Sequence, residues 1–144
     1  MQTVPTHELA AQLRLAITRT ARRLRQEAGG ALSPSQTAAL STVERHGPLT
    51  PSELATRERI QRPTVTRLLG RLEEAGLVAR AADPVDRRSS LVSITPAGRA
   101  LLARLRTRKD AYLATRLDAL AAGDRRALER AAAILERLLD EGAA

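Results

Sequence analysis

The chain has 144 residues, 43% of them hydrophobic, which supports one modest core, and a formal net charge of +8 that favours a polyanionic partner. It contains no cysteine, which excludes disulfides, thiol redox sensing and Cys-ligated zinc. No apolar run approaches the roughly 20 residues that span a bilayer, and the N-terminus lacks a basic-then-apolar leader pattern, so a cytoplasmic protein is expected.

From Pro5 to about Ala28, Leu9, Leu13, Ile17, Ala21, Leu24 and Ala28 recur at three and four, which predicts a long amphipathic helix ending at Gly29-Gly30. Ser33-Pro34-Ser35-Gln36 then joins an N-cap serine, a proline at the first helical position and a glutamine three residues after the cap. This capping box opens a helix to about His46, stopped by Gly47-Pro48. Thr50-Pro51-Ser52-Glu53 repeats the device and opens a short helix to about Arg57. Gln61 is the expected cap of a fourth helix over 61–75, with Pro63 tolerated in its first turn and Gly76 as the terminating glycine. Leu77 to Arg80 and Ser89 to Thr95 read as two short strands joined by Asp83-Pro84-Val85-Asp86-Arg87-Arg88, a hairpin with two arginines at its tip. Thr95-Pro96 caps a fifth helix, whose stripe of Leu101, Leu102, Leu105, Tyr112, Leu113, Leu117 and Leu120 runs to about Ala121. Gly123-Asp124 is expected to break it and cap a sixth helix carrying Leu128, Ala131, Ala132, Leu135, Leu138 and Leu139 on one face. The fold class is therefore mainly α with a small β-hairpin wing. A winged helix-turn-helix head occupies residues 30–95, and accessory helices occupy 5–28 and 96–141.

The fourth helix carries the chemistry. Val65, Leu68, Leu69 and Leu72 form its packing stripe, so at about 100° per residue Pro63, Arg67, Gly70 and Glu74 point away and Thr64, Thr66 and Arg71 flank. In a major groove, arginine bonds guanine O6 and N7 and threonine meets a base edge or a thymine methyl, which makes Thr64, Thr66 and Arg67 the base-reading candidates. Gln61, Arg62, Pro63 and Arg71 complete that helix's DNA-facing set. Helix N-termini favour phosphate, so Ser33, Ser35, Thr50 and Ser52 are candidate backbone contacts. In the hairpin, Arg87 and Arg88 would enter the adjacent minor groove, with Asp86 orienting one of them and Ser89 beside them. Only Lys109 of the 24 basic residues is lysine, so arginine is common everywhere, but Arg59, Arg62, Arg67 and Arg71 form a run with no acidic residue between them. With no Phe, no Trp and one Tyr there is no aromatic platform for single strands, and duplex DNA is the expected partner. The plain alternatives are a solvated helix face, a charged turn with a local Asp-Arg contact, and a sixth helix folded back as a lid. His7 and His46 lack acidic neighbours at ligand spacing, and neither a catalytic constellation nor a cofactor motif appears, so no metal, cofactor or enzymatic activity is expected.

These residues carry a resemblance. The run from Asp83 to Arg99 is similar to the wing signature of the MarR family of bacterial winged-helix regulators, and Thr64-Val65-Thr66-Arg67-Leu68-Leu69 with Leu72-Glu73 and Gly76-Leu77-Val78 resembles its recognition helix and first wing strand. The resemblance implies a homodimer whose first, fifth and sixth helices interleave and whose two heads straddle a palindromic operator, most often as a repressor released by a small-molecule effector. The surplus apolar stripes of those helices agree with a two-fold partner. Arg14, His46 and Tyr112 are the candidate effector-lining residues that follow from it, and Pro63 departs from the small polar residue common at that position. A winged-helix module that binds protein and never touches DNA is the rival reading.

Overall fold

A computed structural model of the chain describes residues 2–141, with Glu141 described in its backbone only. The order is α1 (Thr6–Ala28), α2 (Pro34–His46), α3 (Pro51–Glu58), α4 (Arg62–Glu74), β1 (Val78–Ala82), β2 (Ser90–Ile94), α5 (Pro96–Asp118) and α6 (Ala122–Glu141). Compact packing divides the chain between Lys109 and Asp110, inside α5, into a winged head and a helical C-terminal unit.

Within the head, the starts of α2 and α3 follow from their caps. The Ser33 hydroxyl accepts the Gln36 backbone N–H at 3.1 Å while Gln36 Oε1 accepts the Ser33 N–H at 2.9 Å, a complete capping box. At α3 the Thr50 hydroxyl accepts the Glu53 N–H at 3.1 Å. Gln61 stands at the N-cap of α4 and makes no side-chain cap bond, in keeping with its low capping propensity. Ala39, Leu40 and Val43 of α2, Leu54 of α3, Val65, Leu69 and Leu72 of α4, Val78 and Val92 of the strands and Leu102 of α5 form one buried cluster with Leu49 and Leu77.

α3 and α4 end in the same way. After α4, Leu77 N–H reaches the Leu72 carbonyl and Gly76 N–H the Glu73 carbonyl, both at 2.9 Å, with Gly76 at φ +74°. After α3, Ile60 N–H reaches the Ala55 carbonyl at 3.1 Å and Arg59 N–H the Thr56 carbonyl at 3.3 Å, with Arg59 at φ +55°. Both are the Schellman arrangement, which requires one left-handed residue and seats an apolar residue after it.

The strands pair antiparallel from Val78↔Ile94 to Ala82↔Ser90, so β1 runs two residues beyond the expected Arg80. Leu49 adds a bridge on the open side of β2, exchanging hydrogen bonds with Val92 at 3.1 and 2.8 Å. Two boundaries differ from expectation. α5 ends at Asp118, and the break falls at Ala119-Leu120, so that Gly123 and Asp124 lie inside the first turn of α6. The first turn tolerates glycine and favours an acidic side chain beside its free N–H groups, which is why a Gly-Asp pair does not have to mark the break itself.

Gly98 is buried in the first turn of α5, where a Cβ would overlap the Leu77 carbonyl oxygen and lie 2.8 Å from Ile94 Cγ1. Gly70 in α4 has nothing within 4 Å of such a Cβ. Gly98→Ala is therefore expected to cost about 1–3 kcal/mol by overpacking, whereas Gly70→Ala gains about 0.4–1 kcal/mol. The shift of the urea midpoint in opposite directions checks both.

Candidate nucleic-acid interface

The exposed side of α4 is built from the backbone outward. Its packing stripe holds Val65, Leu69 and Leu72 at 1% exposure or less, which fixes the rotation of the helix and turns Arg62, Pro63, Thr66, Arg67 and Arg71 to solvent. Thr64 is half-buried, and its hydroxyl accepts Arg67 Nη2 at 3.4 Å. Arg62 reaches back to the hydroxyl of Ser52, tying the start of α4 to the start of α3. The Thr66 hydroxyl donates to the Arg62 carbonyl at 3.1 Å, leaving its methyl and oxygen lone pairs outward. No hydrogen bond or ion pair holds the Arg71 side chain among the described residues. Gln61 is exposed, and its carbonyl accepts the N–H groups of Thr64 and Val65.

The wing tip is ordered by its own aspartates. Asp83 Oδ1 accepts the Val85 N–H at 2.9 Å and Asp86 Oδ1 accepts the Arg88 N–H at 3.0 Å, two Asx turns in succession. Asp83 N–H to the Ser89 carbonyl and Ser89 N–H to the Asp86 carbonyl close the loop. Asp86 thus acts on the Arg88 backbone, and the guanidiniums of Arg87 and Arg88 project into solvent with no hydrogen-bond or ion-pair partner among the described residues. Ser89 is half-buried at the base of the loop.

Wing and helix are joined by contacts that composition did not reveal. Arg80 Nε meets Glu73 Oε2 at 2.6 Å, linking β1 to the end of α4. The Thr95 hydroxyl donates to the Gly76 carbonyl at 2.6 Å and accepts the Gly98 N–H at 3.1 Å, while the Thr95 N–H donates to the Leu77 carbonyl at 3.0 Å. Thr95 was legible as a cap of α5 but not as a clasp on the turn after α4, because that second role depends on strand register.

Of the candidate phosphate contacts, Ser33 and Thr50 are engaged as caps through their oxygens, Ser52 holds Arg62, and Ser35 is exposed on the first turn of α2. Among the candidate effector residues, Arg14 is exposed on α1 and His46 is exposed as the last residue of α2. Tyr112, in the C-terminal unit, is half-buried with the Arg116 guanidinium 5.1 Å from its ring centroid. Among the described residues no helix is long and apolar enough to cross a membrane.

Comparison with known proteins agrees with this geometry. The model of the MarR family matches residues 32–90, from the start of α2 to the end of the wing loop. A helix-turn-helix transcriptional regulator of Mycobacterium tuberculosis is 39% identical over 134 residues, covering 92% of this chain and 94% of the relative. Among solved structures, a putative transcriptional regulator from Pseudomonas aeruginosa superposes with a TM-score of 0.84 at 36% identity, covering 96% of this chain and 98% of the other. A MepR variant of S. aureus bound to an oligodeoxyribonucleotide superposes with a TM-score of 0.68 at 22% identity over 92% of this chain and 96% of its own, a likeness of fold.

Proposed function

Because this chain belongs to the MarR family of transcriptional regulators, we propose that it works as a homodimer on a palindromic duplex operator. In this reading it occupies promoter DNA as a repressor and leaves when a small-molecule ligand changes the spacing of the two heads. The observation that carries the reading is the outward face of α4, where Arg62 and Arg67 are held by hydroxyls rather than carboxylates and therefore keep their charge available. Thr64, Thr66 and Arg67 would read base edges. Gln61, Pro63 and Arg71 would line the groove, the helix starts at Ser33, Ser35, Thr50 and Ser52 would follow the phosphates, and Arg87 and Arg88 with Ser89 would enter the neighbouring minor groove. The MepR variant, which shares the fold and is bound to an oligodeoxyribonucleotide, supports this use of it.

Exposed apolar area supports the homodimer. In α1, Leu9, Leu13 and Ile17 are 45%, 37% and 49% exposed, and only the C-terminal end, at Ala28, is buried. In α6, Leu128, Ile134, Leu138 and Leu139 are all exposed. Fully burying such side chains is worth about 1.5–3 kcal/mol each, and a second copy supplies matching stripes under two-fold symmetry. Two recognition helices related in that way would have to lie about 34–36 Å apart, one turn of the duplex, to meet successive major grooves.

Selection of bound sequences from a random duplex pool is expected to enrich a palindrome; an absence of enrichment would favour the protein-binding rival. On the selected site, Arg67→Ala should lose about 1–3 kcal/mol per half-site and relax preference at one base pair. Arg88→Ala should weaken binding and make the salt dependence shallower by about 0.9 per bound chain. Binding by both variants equal to the parent's would refute this docking. Ile17→Asp with Leu138→Asp should convert the dimer to monomer in sedimentation and cost operator affinity, because each head alone keeps only half the contacts.

A further inference from the structure

The two helix ends that frame the helix-turn-helix use one motif with different residues at its left-handed position. Gly76 fills it after α4, and Arg59 fills it after α3 at φ +55°, the one non-glycine residue with positive φ among the described residues. An arginine there sets its Cβ against the neighbouring carbonyl, a clash that glycine lacks. The hydrogen bonds are the same at both ends, and the motif's apolar seat is filled by Ile60 in one and Leu77 in the other, so the fold itself gives no reason to prefer arginine. Nor do side-chain contacts: Arg59 is exposed, and no hydrogen bond or ion pair holds its guanidinium among the described residues. The nearby carboxylate of Glu58 is engaged with the Thr42 hydroxyl of α2.

We propose that Arg59 is a DNA-backbone contact, kept at a conformationally unfavourable position because the turn before α4 is where the chain passes the phosphates at the edge of the major groove. The inference rests on the DNA-binding reading above and adds a residue to it. A recognition helix enters the groove by its N-terminal residues, so a side chain two positions before the N-cap Gln61 lies at the rim. There a guanidinium pairs with phosphate oxygens irrespective of sequence. Arg62, at the same helix start, is held by the Ser52 hydroxyl, whereas Arg59 has no such partner among the described residues.

The test pairs thermal melting with salt titration of binding to a mixed-sequence duplex, where phosphate contacts dominate. Arg59→Gly removes both the strain and the charge, Arg59→Gln removes the charge and keeps the strain, and Arg59→Lys keeps both. Arg59→Gly is expected to raise Tm by a few degrees. It and Arg59→Gln should each lower the slope of log affinity against log salt by about 0.9 per bound chain, with Arg59→Lys close to the parent in both measurements. If the parent binds duplex and all three variants keep its slope, Arg59 is not a phosphate contact, and the wider DNA-binding reading is untouched. A fall in Tm for Arg59→Gly would place the guanidinium's role in the fold and overturn the proposal from the other side. Failure of the parent itself to bind duplex would remove both readings together.

Discussion

The head depends on how the chain closes behind α4. α4 ends by turning through Gly76, which leaves the Gly76 and Leu77 carbonyls facing inward with no helical acceptor role, and Thr95 satisfies both, one through its hydroxyl and one through its N–H. The same hydroxyl accepts from Gly98, so a single threonine joins the end of α4, the end of β2 and the start of α5. Gly98 makes this approach sterically possible, since any side chain there would overlap the Leu77 carbonyl. The direction in which α4 presents its outer face is thereby set by the wing and the first turn of α5. A groove-reading helix needs this kind of support, because base contacts reward side chains already held in place.

Charge is organised on the same frame. The acidic residues of the head whose partners are visible are engaged away from the outer face of α4. Glu44 of α2 meets Arg106 of α5 at 2.8 Å, Glu73 meets Arg80, and Glu58 is bound by Thr42. Exposed pairs of this sort contribute little to stability, typically about 0–1 kcal/mol. Their larger effect is on the field, because Glu44 and Glu73 neutralise Arg106 and Arg80 and leave the arginines of α4 and the wing tip without a carboxylate partner. A net charge of +8 in an arginine-rich chain says little by itself; its distribution is the informative quantity.

Much of this was legible in the residues. The capping box at Ser33, the Thr50 cap, the stripe of α4, Gly76 and the arginine-tipped hairpin were each local signals, and local chemistry decides caps, turns and amphipathic faces. What escaped were features set by tertiary register. The Leu49–Val92 bridge joins residues that no periodicity relates, and the Thr95 clasp and the Glu73–Arg80 pair exist because β1 and β2 pair in one alignment. Arg59 escaped for a different reason: a Schellman end is recognised in sequence by its glycine, and an arginine conceals it. The break after α5 was misplaced because Gly123 and Asp124 look like a stop signal, and a helix's first turn accepts them equally well.

The proposed dimer and the proposed DNA contact place opposite demands on ionic strength. Two copies carry twice the +8 of one chain, a repulsion that opposes their association at low salt. At physiological ionic strength the screening length is about 8 Å, which weakens that repulsion, whereas burial of the α1 and α6 leucines is little affected by salt at this level. Counterion release works the other way and makes DNA binding weaker as salt rises. In the proposed complex the duplex would resolve the conflict: phosphates on the two half-sites would neutralise the heads that repel each other, so DNA and dimer would stabilise one another by linkage. Arginine spread along the chain, unhelpful to a lone protomer, is in this arrangement a reason for the assembled pair to prefer the DNA-bound state.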